Sequence, residues 1–323
     1  MGCNMRVLLL SEDEVRQLLT MEEALEAVEQ GLRKLALDEA ENLPRARART
    51  DHCMLHLMGA AIKTLGFMGA KVYSSHRKNG GQFLVPLFDG KTGALLALMQ
   101  ADYLGQARTG AASGVATKYM ARPDATEVGL FGTGKQARTQ LQAVCQVRRV
   151  RQVHVFSRNE DNRRRFAEEM SECCGTEVVP VPRPQPAAED KDIVITATDS
   201  REPVLAGQWL SKGTHLNAIG SNQLGKVELD AGVLLRCTSI VVDSKDQARL
   251  EAGDFQQALE DGTLRWDNVR ELSQVIVGRY TARKRPEDVT LFKSLGIAVE
   301  DVAVAARVYT KAVAQGVGRW IDW

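Results

Sequence analysis

Val128-Gly129-Leu130-Phe131-Gly132-Thr133-Gly134-Lys135-Gln136-Ala137 is an apolar strand running directly into a Gly-x-Gly-x-x-Ala turn, which opens a helix reaching about Val147. Glycines at this spacing let the backbone approach a pyrophosphate, and the N–H groups at the helix start stabilise its negative charge. Alone, the pattern also occurs as a tight turn without ligand; its setting gives it weight. Further strand-like segments follow at 153–156, 177–181, 193–197, 215–219 and 240–242, alternating with helical stretches. With 128–131 they make six strands and predict an α/β fold, a Rossmann doubly wound parallel sheet that binds a dinucleotide. The Pro-rich stretch 179–186 reads as a connecting loop, because strand and helix signals resume on both sides.

The end of the second strand selects the dinucleotide. NAD enzymes usually place Asp or Glu there to bind the ribose hydroxyls. This strand ends Ser157-Arg158-Asn159. Arg158 can pair with a 2'-phosphate, while Ser157 and Asn159 donate hydrogen bonds to it, so NADP(H) is favoured over NAD(H). The plainer alternative makes Arg158 a solvated loop residue, with Glu160 or Asp161 at the start of the next helix.

A chain of 323 residues is long enough for two cores. Its 44% hydrophobic and 26% charged residues suit a water-soluble globular protein. Forty-two basic and 41 acidic side chains nearly cancel, which argues against nucleic acid or an anionic membrane as partner. Six cysteines (Cys3, Cys53, Cys145, Cys173, Cys174, Cys237) form no C-x-x-C pair and suit reduced thiols, with no metal site expected. The apolar run 7–10 is too short for a signal-peptide core and no segment is long enough to span a bilayer, so a cytoplasmic location is expected. Met1-Gly2 resembles a myristoylation start, but Arg6 stands where Ser or Thr is required.

Ahead of the dinucleotide turn the pattern differs. Ser11 followed by Glu14 is a capping box, and apolar residues recur at helical spacing through 11–40, with a break near Thr20-Met21. Segments 83–88 and 94–99 form a hairpin around Asp89-Gly90-Lys91-Thr92-Gly93. Residues 106–121, rich in Ala and Gly, form a closely packed helix ended by Pro123, and 297–314 forms a final apolar helix. Three cations stand out: Arg45 after Pro44, Lys71 in Gly-Ala-Lys-Val, and Arg108 in Ala-Arg-Thr-Gly. Lys71 and Arg108 lie among apolar or small residues, where a cation needs either an internal carboxylate or an anionic ligand. Arg45, Arg47 and Arg49 alternate on one strand face, and at least two of them are expected to be solvated.

Pro44-Arg45, His56-Leu57-Met58, Gly69-Ala70-Lys71-Val72, Arg108-Thr109-Gly110-Ala111, the glycine turn, Ala218-Ile219-Gly220-Ser221-Asn222, Glu228-Leu229-Asp230 and Thr290-Leu291-Phe292-Lys293-Ser294-Leu295-Gly296 together resemble the ornithine cyclodeaminase and mu-crystallin family along nearly the whole chain. The resemblance implies a homodimer, with a substrate-binding and dimerisation domain at 1–122, completed by the C-terminal helix 300–323, and a Rossmann domain at 123–299. It implies that Arg45, Lys71 and Arg108 hold a substrate carboxylate beside the nicotinamide, with Lys71 also moving a proton. Thr109, Lys293, Ser294 and Gly296 would enclose the cofactor, and Thr198, Asp199, Ile219 and Gly220 would border its ribose and nicotinamide. Gly132, Thr133, Gly134, Lys135, Gln136 and Ala137 would cradle the pyrophosphate, and Ser157, Arg158, Asn159 and Asn162 match the NADPH-binding mu-crystallin branch.

Two departures bear on the reaction. Asn222 stands where cyclodeaminases carry a catalytic Asp, and His56 where they carry a Glu. Asn cannot act as a general base, which argues against cyclodeamination. A reductase needs less, since a protonated imine is already electrophilic. His56 is then either a proton shuttle near neutral pH or a histidine satisfied within the fold. The expected activity is reduction of a C=N bond beside a carboxylate, in a small imine or amino acid such as 1-pyrroline-2-carboxylate or 1-piperideine-2-carboxylate. Its rivals are an amino-acid dehydrogenase, an ornithine or lysine cyclodeaminase, and a non-catalytic binding protein like mu-crystallin.

Overall fold

The computed structural model describes residues 6–76 and 80–323; Met1, Gly2 and Cys3, which carry the lipidation-like start and one cysteine, lie outside them. The chain divides into two compact units, Met1–Arg108 with Ile297–Trp323, and Thr109–Gly296.

In the first unit, helix α1 (Glu12–Leu18) starts at the capping box read from sequence: the Ser11 hydroxyl accepts from Glu14 N, and the Glu14 carboxylate accepts from Ser11 N at 2.8 Å. A second box, Thr20 with Glu23, starts α2 (Met21–Ala36), so the expected break near Thr20 separates two capped helices. Strands β1 (Arg6–Leu10), β2 (Ala40–Arg49), β3 (Cys53–Ile62), β4 (Phe67–His76), β5 (Gly80–Asp89) and β6 (Leu95–Gln100) join the C-terminal strand Arg319–Asp322 in one sheet. Its order is C-terminal strand, β1, β6, β5, β4, β3, β2, with only β1 and β6 parallel. The β5–β6 hairpin is the one expected: Asp89 Oδ1 accepts from the N–H groups of Lys91 and Thr92, and Gly93 takes φ +75°. The C-terminal helix (Ala298–Gln315) packs on α2 and on β3 and β4. Gly31 makes that approach possible, since an added Cβ would meet Ala303 Cβ at 3.0 Å and Val299 O at 3.3 Å. Buried Val28, Leu32, Val299 and Val302 anchor it, each contributing roughly 1.5–3 kcal/mol.

In the second unit, β7 (Glu127–Phe131), β8 (Gln152–Phe156), β9 (Glu177–Pro180), β10 (Ile193–Thr196), β11 (His215–Ala218), β12 (Ser239–Val242), β13 (Val269–Glu271) and β14 (Thr290–Lys293) form a wholly parallel sheet. The order β13-β12-β14-β11-β10-β7-β8-β9 reverses direction between β7 and β10, placing the ligand-binding crevice of a doubly wound sheet at the C-terminal ends of those strands. Alternate residues enter different cores: Ile193 and Ile195 pack with Val128 and Val153, whereas Val194 packs with Leu216 and Leu291. Eight strands stand where six were expected. The additional pair are three-residue β13 and four-residue β14.

Helix α3 (Asp102–Met120) contains the division between the units. The cut falls at 108/109 and 296/297 rather than at 122/123 and 299/300, because the rear of α3 packs within the second unit. There a Cβ on Gly110 would meet Thr139 O at 2.4 Å, and Asn217 Nδ2 donates to Thr117 Oγ1. Among the described residues no helix is long and apolar enough to cross a membrane, and the five described cysteines are free thiols.

Candidate active site

The first unit gathers its cations on one sheet face. Between Leu43 and Ala46 the β2–β3 register shifts by one residue, so Pro44 and Arg45 together oppose Met58. Arg45 becomes buried, at 6% exposure, with its Nε 3.3 Å from Met58 Sδ, whereas Arg49 at the strand end is exposed. Met58 pairs with Lys71 on β4, which extends the row. Arg108 arrives from α3. Lys71 and Arg108 are only 4% and 5% exposed, and both find carboxylates in the first turn of the C-terminal helix. Lys71 Nζ and Arg108 Nε both donate to Asp301 Oδ1, at 3.0 and 2.9 Å, and Arg108 Nη1 donates to Glu300 Oε2 at 2.9 Å. Gly105 makes room for this: a Cβ there would sit 2.6 Å from Lys71 Nζ. Burial pulls the Lys71 ammonium down to about 8, Asp301 opposing and Arg108 and Arg45 adding to the fall. It is therefore charged at neutral pH, yet close to giving up its proton.

The next row along the face is Arg47, His56, Tyr73 and Phe83, paired strand to strand. His56 stacks on Tyr73 at 4.1 Å, and Tyr73 on Phe83 at 5.0 Å. Arg47 Nε donates to His56 Nδ1, so the ring proton is assigned to Nε2, facing Ser75 Oγ at 3.0 Å. Burial first, then Arg47, Arg45 and Arg49, lower the His56 pKa to about 4. His56 is therefore neutral at neutral pH, with both ring nitrogens facing hydrogen-bond partners within the sheet.

In the second unit, Gly132 takes φ +107°, and an added Cβ would meet Ala197 O at 2.4 Å. Gly134 caps helix α4 (Lys135–Val147) without any side-chain cap, and an added Cβ there meets nothing within 4 Å. The start of α4 is thus left open to an anion, as a pyrophosphate requires. Ala137 is buried in the core, Thr133 Oγ1 donates to Ser157 Oγ at 3.2 Å, and Lys135 and Gln136 stay at or near the surface. Arg138 Nη1 fixes the turn by donating to Thr133 O and Gly134 O.

At the end of β8, Arg158 is exposed and Asn159 caps helix α5 (Glu160–Cys174), its side chain accepting from Asn162 N at 2.8 Å. Asn162 Oδ1 accepts from Arg165, and buried Arg163 donates to Ser157 O. Thr109 O accepts from Gln140 Nε2, joining α3 to α4. Thr198 and Gly220 lie two residues past the ends of β10 and β11, and both donate to Glu228. Ile219 N bonds Thr196 O, Asp199 is exposed, and Asn222 is half-buried in the following loop. Lys293 is fully buried and ion-paired to Asp254 at 2.9 Å. Ser294 Oγ and Gly296 N bond Asp243, so this segment turns its polar groups into the framework.

Sequence reasoning missed the carboxylates Asp301, Glu300, Glu228, Asp254 and Asp243. A signal existed for the first two: they are the only acids in the apolar stretch 297–314, and buried cations require partners.

A family model described as ornithine cyclodeaminase/mu-crystallin matches residues 5–316. The structure of a Thermococcus litoralis Δ1-pyrroline-2-carboxylate reductase in complex with NADH and L-proline superposes with TM-score 0.93 at 37% identity, covering 97% of this chain and 99% of that one. An archaeal alanine dehydrogenase dimer with bound NAD gives TM-score 0.93 at 35% identity, covering 99% and 100%. A Δ1-pyrroline-2-carboxylate reductase of Bacillus cereus is 32% identical over 98% of this chain and 100% of its own length.

Proposed function

The chain belongs to the ornithine cyclodeaminase/mu-crystallin family, and from that premise we propose that it reduces the C=N bond of an imino acid, a cyclic ketimine acid first among them. Its class is that of NAD(P)-dependent oxidoreductases acting on CH–NH or C=N bonds. The observation that carries the reading is Lys71: a buried ammonium with a pKa near 8, flanked by Arg45 and Arg108 and held by Asp301.

Gly132–Ala137, the Ser157–Asn159 segment and the loops after β10 and β11 would hold the cofactor. When bound, a reduced nicotinamide supplies the hydride that the imine carbon needs. The protein's own residues do the remainder. The guanidinium groups of Arg45 and Arg108 bind the substrate carboxylate. Lys71 donates its proton to the nitrogen that becomes the amine, and Asp301 keeps the ammonium aimed and charged. Asn222 leaves the position of a general base without one, which disfavours cyclodeamination.

Two features support finer assignments. The end of β8 offers Ser157, Arg158 and Asn159 and no carboxylate, which favours NADPH even though the two solved relatives carry NADH and NAD. On the sheet face away from Lys71, Leu43, Leu55, Leu57 and Leu84 are 64%, 41%, 44% and 39% exposed, an uncovered apolar patch suited to a second copy in a homodimer. The free thiols suit a reducing, cytoplasmic setting.

The 35% identity to an alanine dehydrogenase favours a second reading, in which the imine forms from a keto acid and an amine. One comparison separates them: NADPH oxidation with 1-pyrroline-2-carboxylate or 1-piperideine-2-carboxylate, with pyruvate plus ammonia or methylamine, and NAD-dependent turnover of ornithine. Fastest turnover on a cyclic ketimine acid is expected. Activity confined to pyruvate plus amine would replace the first reading by the second.

A further inference from the structure

We propose that Glu228 is a positioning residue that sets the loops after β10 and β11 for the cofactor; this rests on the reading that the second unit binds a nicotinamide dinucleotide. Glu228 is fully buried and touches no surface. Its carboxylate accepts four hydrogen bonds: Oε1 from Thr198 N and Thr198 Oγ1, at 2.7 and 2.8 Å, and Oε2 from Thr196 Oγ1 and Gly220 N, at 2.9 and 2.8 Å. Two of these donors are backbone amides just past the C-terminal ends of adjacent parallel strands, where a doubly wound sheet presents its ligand contacts.

The loops so tied are also interlocked with the glycine turn. A Cβ on Gly132 would meet Ala197 O at 2.4 Å, and one on Gly220 would meet Thr198 O at 2.1 Å and Glu228 Oε1 at 2.4 Å. The turn therefore rests on the loop after β10, and that loop on the one after β11, with Glu228 behind the last contact.

Glu228 is itself anchored. Its N–H and that of Leu229 donate to Asp254 Oδ1, at 2.6 and 3.0 Å, and Asp254 Oδ2 pairs with Lys293 at 2.9 Å. Lys293, assigned to the cofactor from sequence, is thus fully buried and tied through Asp254 to the Glu228 backbone. A buried ionic cluster is no better for stability than apolar side chains of similar volume. What the carboxylate adds is direction: it fixes two backbone amides that an apolar residue would leave free to turn.

Glu228→Gln keeps the volume, but its NH2 group faces donors, so the four bonds cannot all form. NADPH is titrated against tryptophan fluorescence without substrate, alongside thermal unfolding and steady-state kinetics. The Kd for NADPH is expected to rise roughly ten- to a hundredfold, with the KM of the imino acid moved less than about threefold. Thr196→Val removes one donor at nearly constant shape and should raise Kd about three- to tenfold; it decides the matter alone if E228Q does not fold. A folded variant with wild-type Kd, even at lowered Tm, would leave Glu228 merely structural and overturn the proposal. Wild-type protein that binds neither NADPH nor NADH would overturn the functional reading as well.

Discussion

Replacing Asp301 by Asn removes the charge opposite Lys71 while keeping the size of the side chain. At an effective dielectric of ~20, unit charges 3.0 Å apart attract by about 5.5 kcal/mol. If only a third of that is realised, the Lys71 pKa falls by more than about one unit, since each unit is worth about 1.4 kcal/mol. Arg108 and Arg45 push in the same direction once Asp301 no longer opposes them. The assay is kcat/KM for imino acid reduction as a function of pH. In wild type the alkaline limb should lie near pH 8, where Lys71 loses its proton. In D301N the limb should move to pH 7 or below, with kcat at pH 8 reduced at least tenfold. The substrate's own titration is common to both proteins, so the displacement isolates Lys71. A limb that stays in place in an active, folded D301N would remove Lys71 as the proton donor. The same change leaves two buried cations short of a partner and should destabilise the protein by about 3–5 kcal/mol.

Lys71→Met should abolish turnover and leave NADPH affinity within about twofold, read by fluorescence titration. The Lys71 pKa is lower folded than unfolded, so wild-type stability should rise between about pH 8 and 10.5, the unfolded chain binding the additional proton, and K71M should lack that rise in denaturant titrations. Gly134→Ala, at a position open to space, should unfold like wild type yet bind NADPH at least tenfold more weakly; Gly132→Ala, strained in φ and against Ala197 O, should lose both stability and binding. Arg158→Leu should lower the preference for NADPH over NADH by at least tenfold in Kd, and an unchanged ratio would assign Arg158 to solvent. His56, neutral down to about pH 4, should contribute no limb between pH 5 and 8, so His56→Asn should leave the shape of that pH profile unaltered.

The dinucleotide half was legible because each of its signals is local. Gly132, at φ +107°, marks a turn whose geometry admits little else, and in the other unit the capping box at Ser11 closes within four residues. Strands β3 and β4 were less visible because Gly59, Ala60, Gly69 and Ala70 serve close packing rather than strand propensity; a Cβ on Gly69 would meet Pro86 O at 2.8 Å and Val302 Cγ2 at 3.2 Å. The position of β14 between β11 and β12 is a fact of topology that no period encodes. In the candidate site, the cations were conspicuous as charges in apolar surroundings. Asp301 lies 230 residues from Lys71 in the chain, and only the fold joins them. The low pKa of His56 was illegible for a related reason: its burial, and the arginines that add to the fall from a neighbouring strand, depend on a register the sequence does not state.

The most direct test follows deuterium from the C4 position of labelled NADPH during turnover of 1-pyrroline-2-carboxylate, with the product examined by mass spectrometry. Reduction of C=N beside a carboxylate predicts proline carrying a single deuterium at its α-carbon, formed in step with NADPH consumed. Cofactor that binds but keeps its label, with no proline formed from this or any cyclic ketimine acid, would contradict it.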